Sequence, residues 1–558
     1  MLNLKALENR RIDILKAEVG ALLFNMGKTH AGFGPWKSYI ERNFPGTTVD
    51  RKFGNYNYSD YYAKNQAIFF NELKEVSDRL EQFFRRLDAV LPSRDSGFQQ
   101  IPLIEIMKAS RSKTDLSRKI LFRGCENVNS GIDKGTPLKQ MNKIFLANAF
   151  GKCIKELSTD DLDDRRKSFW TDLDNFMGND YDDPDWEVIR NWFIENIKTW
   201  YSSILSDSRL QANDVTLWDQ VYMVASMFKA VLADMCLISS DDRGREKIGR
   251  YFDLPSDIKW RILGVQYDKL GLAERGFRPA QIKWYRDAAN RIDESIKKLI
   301  EVRYALGNEI YRDETGIYFL VGEDLAGDDQ NYLAELHPDL REVKEKILDI
   351  FKKKLYQPGN ESCRENEKEE ALEHGEFFPS LFLTKPSRGM MNLIFLLREA
   401  MSNFLRPDYP KDSFYLDGKG MSYICPVCRR RAFSASDRKN RYAEDIPVCN
   451  VCYNRANNRL ADWIKSPDKE TIWTTELQDR NGRIALVSLK FDLNEWLNGN
   501  MLNSFLTNEA DYKKLLDETK MFFRTFFTRE PVLAEDYNWL CELADEISYL
   551  DAEAGKKC

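Results

Sequence analysis

The chain has 558 residues, a net charge of −6, 43% hydrophobic and 31% charged residues. That length exceeds what one hydrophobic core supports, so three or four domains are expected, and the composition is globular rather than disordered. The acidic balance argues against wholesale coating of nucleic acid but allows a local basic groove, and the 10 cysteines of so long a chain are no disulfide framework.

The N-terminal stretch MLNLKALENRRIDILK lacks the apolar segment of a secretory signal, and no uninterrupted run of about 18 apolar residues occurs. A cytoplasmic protein without membrane association is therefore expected. Residues 1–250 read as mostly helical. Ile14, Ala17, Ala21, Leu22 and Met26 recur at helical spacing in ILKAEVGALLFNMGK. The stretch from Asp160 to Trp186 is acidic and Trp-rich, which fits a solvated helical surface anchored by its tryptophans. Residues 215–238 are apolar almost all round, the pattern of a buried helix.

From Trp260 the character changes. Residues 260–267 read as a strand. Pro279 opens a helix with a stripe at Ile282, Tyr285, Ala289, Ile292, Ile296 and Leu299, and Gly307 is read as its end. Ile310-Tyr311, a turn at Asp313–Gly316 and Ile317–Val321 form a hairpin signal. A helix over 339–355, a polar linker over 358–376 and a strand over 378–384 complete a β-α-β-β-α-β order, the ferredoxin-like split unit found in the palms of polymerases and cyclases. Asp268 reads as a strand cap. The apolar run Leu393–Leu397 reads as a core segment. Residues 483–492 and the helical pattern after them restart the motif as a weak internal repeat that is cut short. The expected fold class is α+β and multidomain. It comprises a helical domain over 1–250, a first palm over 255–410, a zinc module over 411–470 and the start of a second palm over 471–558.

The sharpest chemical signal is Cys425-Pro-Val-Cys428, 20 intervening residues, then Cys449-Asn-Val-Cys452. Two CxxC turns can complete a tetrahedron of thiolates around one zinc ion, and four sulfurs leave no open position, so the metal would be structural. A redox CxxC pair is the competing reading. Between the pairs, Arg429, Arg430, Arg431, Arg438, Lys439 and Arg441, with Phe433 and Tyr442, form either a phosphate-contacting finger for RNA or a solvated basic loop. Only 3 histidines occur, His30, His337 and His374, too few for a histidine-rich dinuclear centre.

Three ordered patterns, AEVGALLFNMGKTH, NDVTLWDQVYMVASMFKA at 213–230 and CPVC…CNVC between two palm-like stretches, resemble one family over essentially the whole chain. The chain resembles the large subunit of type III CRISPR effector complexes, the Cas-ten superfamily, and looks closest to its Csx-eleven-like branch. The resemblance implies an N-terminal HD nuclease domain, two palms flanking a zinc module, and a place in an RNA-guided antiviral complex. Its partners would be CRISPR RNA and target RNA, reached through other subunits, and the small and backbone subunits of the assembly. The family's palm makes cyclic oligoadenylate from ATP with magnesium.

The departures are specific. Phe24 and Asn25 stand where the family has His-Asp, and Gln220 follows Asp219 where it has His, so metal ligands are missing from an HD-like domain read as inactive. The family's Gly-Gly-Asp-Asp signature is absent, and Gly327-Asp328-Asp329 reads as a loop. In the second palm Asp492 is matched by Asn494, one carboxylate short of a two-metal site, leaving Asp492 as a candidate nucleotide contact. The expected function is a scaffolding, nuclease-inactive large subunit. The alternatives are a nucleotidyl cyclase completed by a missing C-terminal part, and a stand-alone zinc-containing RNA-binding protein.

Overall fold

The computed structural model describes residues 2–30, 66–95, 97–130, 145–147, 154–156, 159–204, 212–213, 215–274, 279–327, 333–352, 355–356, 369–370, 379–400, 421–426, 432–434, 441–442, 446–448 and 504–506. The chain is a mixture of helices and small antiparallel sheets, and so α+β. It divides into two compact units, one holding Met1–Glu8 and Lys259–Phe491, the other Asn9–Ile258 and Asp492–Cys558.

The helical unit is built from α1 (Leu4–Leu23), α2 (Gln66–Val76), α3 (Asp78–Arg86), α4 (Thr159–Met177), α5 (Trp186–Tyr201), α6 (Leu217–Ile238) and α7 (Asp242–Asp253), with a π-helical segment at Leu116–Glu126. The predicted stripe of α1 is buried: Ile14, Ala17, Ala21 and Leu22 are fully enclosed, and Met26 beyond the helix with them. Trp170 of α4 sits at the middle of an aromatic core, edge-on to Phe69 at 5.8 Å and Phe84 at 5.5 Å. This is the low-energy arrangement of ring quadrupoles, and the acidic stretch is anchored by its tryptophans as its composition suggested. Among the described residues one helix, α6, is long and apolar enough to cross a membrane, but 89% of its apolar window is buried inside the protein. It is a core helix.

This part of the chain also carries strands that a mostly helical reading does not contain. Asp88–Pro92 and Phe98–Pro102 (β1 and β2) form a hairpin. Phe145–Ala147, Ile154–Glu156, Ala212–Asn213 and Ser504–Leu506 form a small antiparallel sheet in which Ser504–Leu506 lies between Phe145–Ala147 and Ala212–Asn213. Runs of two or three residues are too short to show an alternating pattern, so the sequence gives them no signal.

The second unit is organised around four strands: β3 (Trp260–Gln266), β4 (Gly307–Asp313), β5 (Gly316–Gly322) and β6 (Ser380–Leu383), in the order β6-β3-β5-β4 with every neighbouring pair antiparallel. The helices α8 (Pro279–Lys297) and α9 (Arg341–Lys352) follow β3 and β5, giving the order β-α-β-β-α-β. Successive strand residues point to opposite faces. Tyr267 meets Phe351 of α9 at 5.1 Å and the Ala289 carbonyl of α8 at 3.0 Å, whereas Gln266 donates to the Ala400 carbonyl at the end of α10 (Met390–Ala400) at 3.1 Å. Both faces of the sheet are thus covered, and β3 and β5 are buried along their full lengths.

Three local expectations are corrected. Helix α8 does not run to Gly307. It passes at Lys298 into a π-helical turn ending at Arg303, and the wider turn moves the buried position from Leu299 to Ile300. Gly307 instead opens β4, where an added Cβ would lie 1.9 Å from the Leu320 carbonyl oxygen, so the close strand approach requires glycine. The run Leu393–Leu397 is not a wholly buried segment. Leu393 and Leu397 face inward, but Met391, Ile394 and Phe395 are 64%, 53% and 60% exposed, because a helix lying on a sheet buries only one of its faces. Asp268 caps a helical turn rather than a strand: its Oδ1 accepts from the Gly271 amide at 2.8 Å, at the start of Lys269–Glu274.

Candidate functional site

Phe24–Lys28 and Asp219-Gln220 meet inside the helical unit. Beyond α1 the chain turns through Phe24 and Asn25 into a single 3-10 turn, Met26–Thr29, closed by the Lys28 amide bonding the Asn25 carbonyl at 2.9 Å. Phe24 packs into the core. Asn25 is buried, and its Nδ2 has no hydrogen-bond partner among the described residues. Lys28 is buried as well, and its Nζ donates to Oε1 of Gln220 at 2.6 Å. Gln220 passes the polarity on, because its Nε2 donates to Oε1 of Glu126 at 3.0 Å. Asn129 fixes the same turn of α6 by donating to the Gln220 carbonyl at 3.2 Å.

The amide of Gln220 is suited to this place because it offers both an acceptor and a donor. It bridges an ammonium and a carboxylate. The arrangement is a buried Lys–Gln–Glu relay, and a side chain with only one kind of polar atom could not complete it.

Asp219, beside Gln220, has a different task. Its carboxylate accepts from the Thr216 amide at 2.8 Å while its own amide donates to the Thr216 hydroxyl at 3.3 Å, a capping box that starts α6. The Thr-x-x-Asp spacing announces this cap in the sequence. His30 uses its backbone amide to close the turn on the Gly27 carbonyl at 3.3 Å. His337 accepts from the Asp339 amide through Nδ1 at 3.1 Å and caps a short turn. His374 lies outside the described residues.

A second charged node stands one turn earlier on α1. Glu18 is fully buried and takes Arg190 of α5 on both carboxylate oxygens, at 2.8 and 3.1 Å, and Lys229 of α6 at 2.7 Å. Burial alone would push the Glu18 carboxyl up, but Arg190 and Lys229 more than offset it and hold the group down at about 2. Glu126, Asn129, Lys28 and this node were not singled out from the sequence. Lys229 did leave a trace, since it is the one cation in the apolar α6 sequence.

The zinc ligands can be placed only in part. Cys425 is buried at the end of the strand Met421–Ile424, which pairs antiparallel with Ala432–Ser434, so the first CxxC falls in the connection of a short hairpin. Arg441–Tyr442 pairs with Ile446–Pro447 immediately before the second CxxC. Cys428, Cys449 and Cys452 lie outside the described residues, as do Arg429, Arg430, Arg431, Arg438, Lys439, Asp492 and Asn494. Cys425 is therefore the only one of the four candidate zinc ligands among the described residues. Arg441 stands in one of these hairpins. Gly327 follows the short turn after β5, its amide bonding the Glu335 carbonyl at 3.1 Å beside the antiparallel bridge of Ala326 with Leu336, and Asp328 and Asp329 are outside the described residues. No protein-family model matches the chain, and no curated protein matches it either.

Proposed function

We propose that the chain is a scaffolding large subunit of an RNA-guided antiviral ribonucleoprotein of the type III CRISPR kind. In this reading Asn9–Ile258 is an HD-like domain without nuclease activity, the sheet unit carries a ferredoxin-like palm, and Cys425, Cys428, Cys449 and Cys452 hold a structural zinc. The observation that carries the reading is the convergence of Phe24–Lys28 with Asp219-Gln220 through the 2.6 Å bond between Lys28 and Gln220. Two stretches nearly 200 residues apart (192 between Lys28 and Gln220), each resembling half of one bipartite motif, come together in one buried place. The β6-β3-β5-β4 order, which is the order of the split βαβ unit, adds support from the second unit.

At the convergence a phenylalanine, an amide and a glutamine stand where divalent metals would need imidazole and carboxylate, and the ligands they offer suit hydrogen bonding better than metal binding. The chain is a soluble component whose contacts with guide and target RNA run through other subunits.

The test is affinity purification of the tagged chain from cells that carry its neighbouring genes, followed by sequencing of bound RNA. Short RNAs sharing one repeat-derived end, together with companion subunits, are expected. A chain that purifies alone or with random cellular RNA overturns the reading. Incubating the same material with labelled ATP and magnesium separates scaffold from cyclase: oligoadenylate that disappears on Asp492→Ala would favour the cyclase.

A further inference from the structure

The turn between β4 and β5 is held by two residues at the far end of β3. The Tyr267 amide bonds the Thr315 carbonyl at 2.9 Å and the Lys269 amide bonds the Glu314 carbonyl at 3.2 Å. The Lys269 ammonium takes the other two carbonyls of the turn, Asp313 and Gly316, each at 2.9 Å. All four turn carbonyls are therefore bound from one side. The same ammonium donates to Oδ2 of Asp293 on α8 at 2.6 Å, and Asp293 is 1% exposed. Oδ1 of Asp293 accepts from the Tyr267 hydroxyl at 2.6 Å. Arg312 approaches Oδ2 only to 3.9 Å and is bonded instead to Glu309 and Glu294. Gly316 is required by the close approach of β5 to β3, since a Cβ there would lie 2.5 Å from the Val265 carbonyl oxygen.

The geometry points to Lys269 as a resident cation: its ammonium occupies a cage of one carboxylate and two carbonyl oxygens that would otherwise take a potassium-sized monovalent ion. Three oxygens at 2.6–2.9 Å, drawn from α8 and both ends of the turn, surround the ammonium, with the Tyr267 ring 5.1 Å away, and an ion in its place would keep water on its remaining positions. The Asp293 carboxylate supplies the negative charge such an ion needs, with Arg312 3.9 Å from the same oxygen. An ammonium meets the need with the three donors it has and is tethered, so it costs no binding entropy from solution. Burial works against the charge of both partners, lowering the Lys269 ammonium and raising the Asp293 carboxyl, while their contact opposes this. The consequence is a closed hairpin tip. On the palm reading, with which this last point stands or falls, the tip is not an open edge for metal-bound phosphate, and nucleotide or RNA contacts of this unit lie elsewhere.

The experiment is thermal unfolding of the full chain, wild type and Lys269→Ala, in potassium chloride against tetramethylammonium chloride at equal ionic strength. Tetramethylammonium carries the same charge but is too large for the cage and donates no hydrogen bond. Lys269→Ala is expected to melt lower than wild type and to recover by about 5 °C at high potassium, whereas wild type responds equally to both salts. Asp293→Asn in the Lys269→Ala background abolishes the recovery. If Lys269→Ala does not fold in tetramethylammonium, folding restored by potassium supports the cage, and a chain unfolded in both salts refutes it. Equal response of the variant to both salts, or a Lys269→Met variant as stable as wild type, also overturns it. The readout is folding alone, so its failure leaves the RNA-guided reading standing, and the absence of bound guide RNA leaves the cage standing.

Discussion

Replacing Glu18 by glutamine removes the one carboxylate shared by Arg190 and Lys229 at a place where Glu18 and Lys229 are 0% and Arg190 2% exposed. The cost follows from two independent directions. Breaking a buried ion pair by deleting one partner costs about 3–5 kcal/mol, because the remaining charge stays desolvated. From the titration side, holding the Glu18 carboxyl at about 2 instead of 4.5 corresponds to about 3 kcal/mol, at about 1.4 kcal/mol per pH unit. A loss of about 3–4 kcal/mol is therefore expected at pH 7, or roughly 10 °C for a unit of this size. The pH dependence has a definite sign. A carboxyl whose folded value is depressed stabilises fully above its unfolded value near 4.5 and loses that contribution as pH falls toward about 2. Wild type should thus destabilise steeply over that acid window and Glu18→Gln should not. The assay is calorimetric unfolding of the helical unit's transition from pH 7 down to pH 3. Replacing the node as a whole, Glu18→Leu with Arg190→Met and Lys229→Met, should recover most of the loss, since an apolar set needs no desolvated charge. A Glu18→Gln variant within about 1 kcal/mol of wild type at pH 7 would refute the argument.

Gln220→Leu breaks the relay at both ends and should cost about 2–3 kcal/mol, with Lys28→Met in the same chain recovering part of it in denaturant titrations. Asp219→Ala removes only the capping box and should cost about 1 kcal/mol of stability, with no change in any activity toward manganese and single-stranded DNA. Gly307→Ala drives a methyl group into the Leu320 carbonyl and should cost about 3 kcal/mol or more, measured by the same titrations. Protein purified without chelators should carry about one zinc per chain by elemental analysis, and Cys428→Ser should lose it and expose the 421–460 region to protease.

Much of the sheet unit was legible because its signals are local. Pro279 sets a helix start, the two residues between Asp313 and Gly316 set a hairpin, and two apolar runs of strand length could only be strands between turn residues. The buried helix α6 was equally plain, since no face of it carries enough polarity to meet water. Phe24, Asn25 and Gln220 drew notice only through the resemblance to a family, and sequence gave no means to say what those residues do in the fold. The short strands of the helical unit and the exposed face of α10 were not legible, because both depend on what lies across from them.

By itself the sequence determined which side chains carry donor atoms suited to metal, the four cysteines of the two CxxC pairs among them, because ligand chemistry belongs to the side chain. It also determined the β-α-β-β-α-β order, because turn and period signals act over a few residues. Only the tertiary structure decided that Gln220 bridges Lys28 to Glu126, that Glu18 answers two cations from α5 and α6, and that Lys269 closes the hairpin tip. In each case the partners come from distant parts of the chain. A charge buried at one of them is tolerable only where folding brings the others within hydrogen-bonding distance, and no local pattern records that distance.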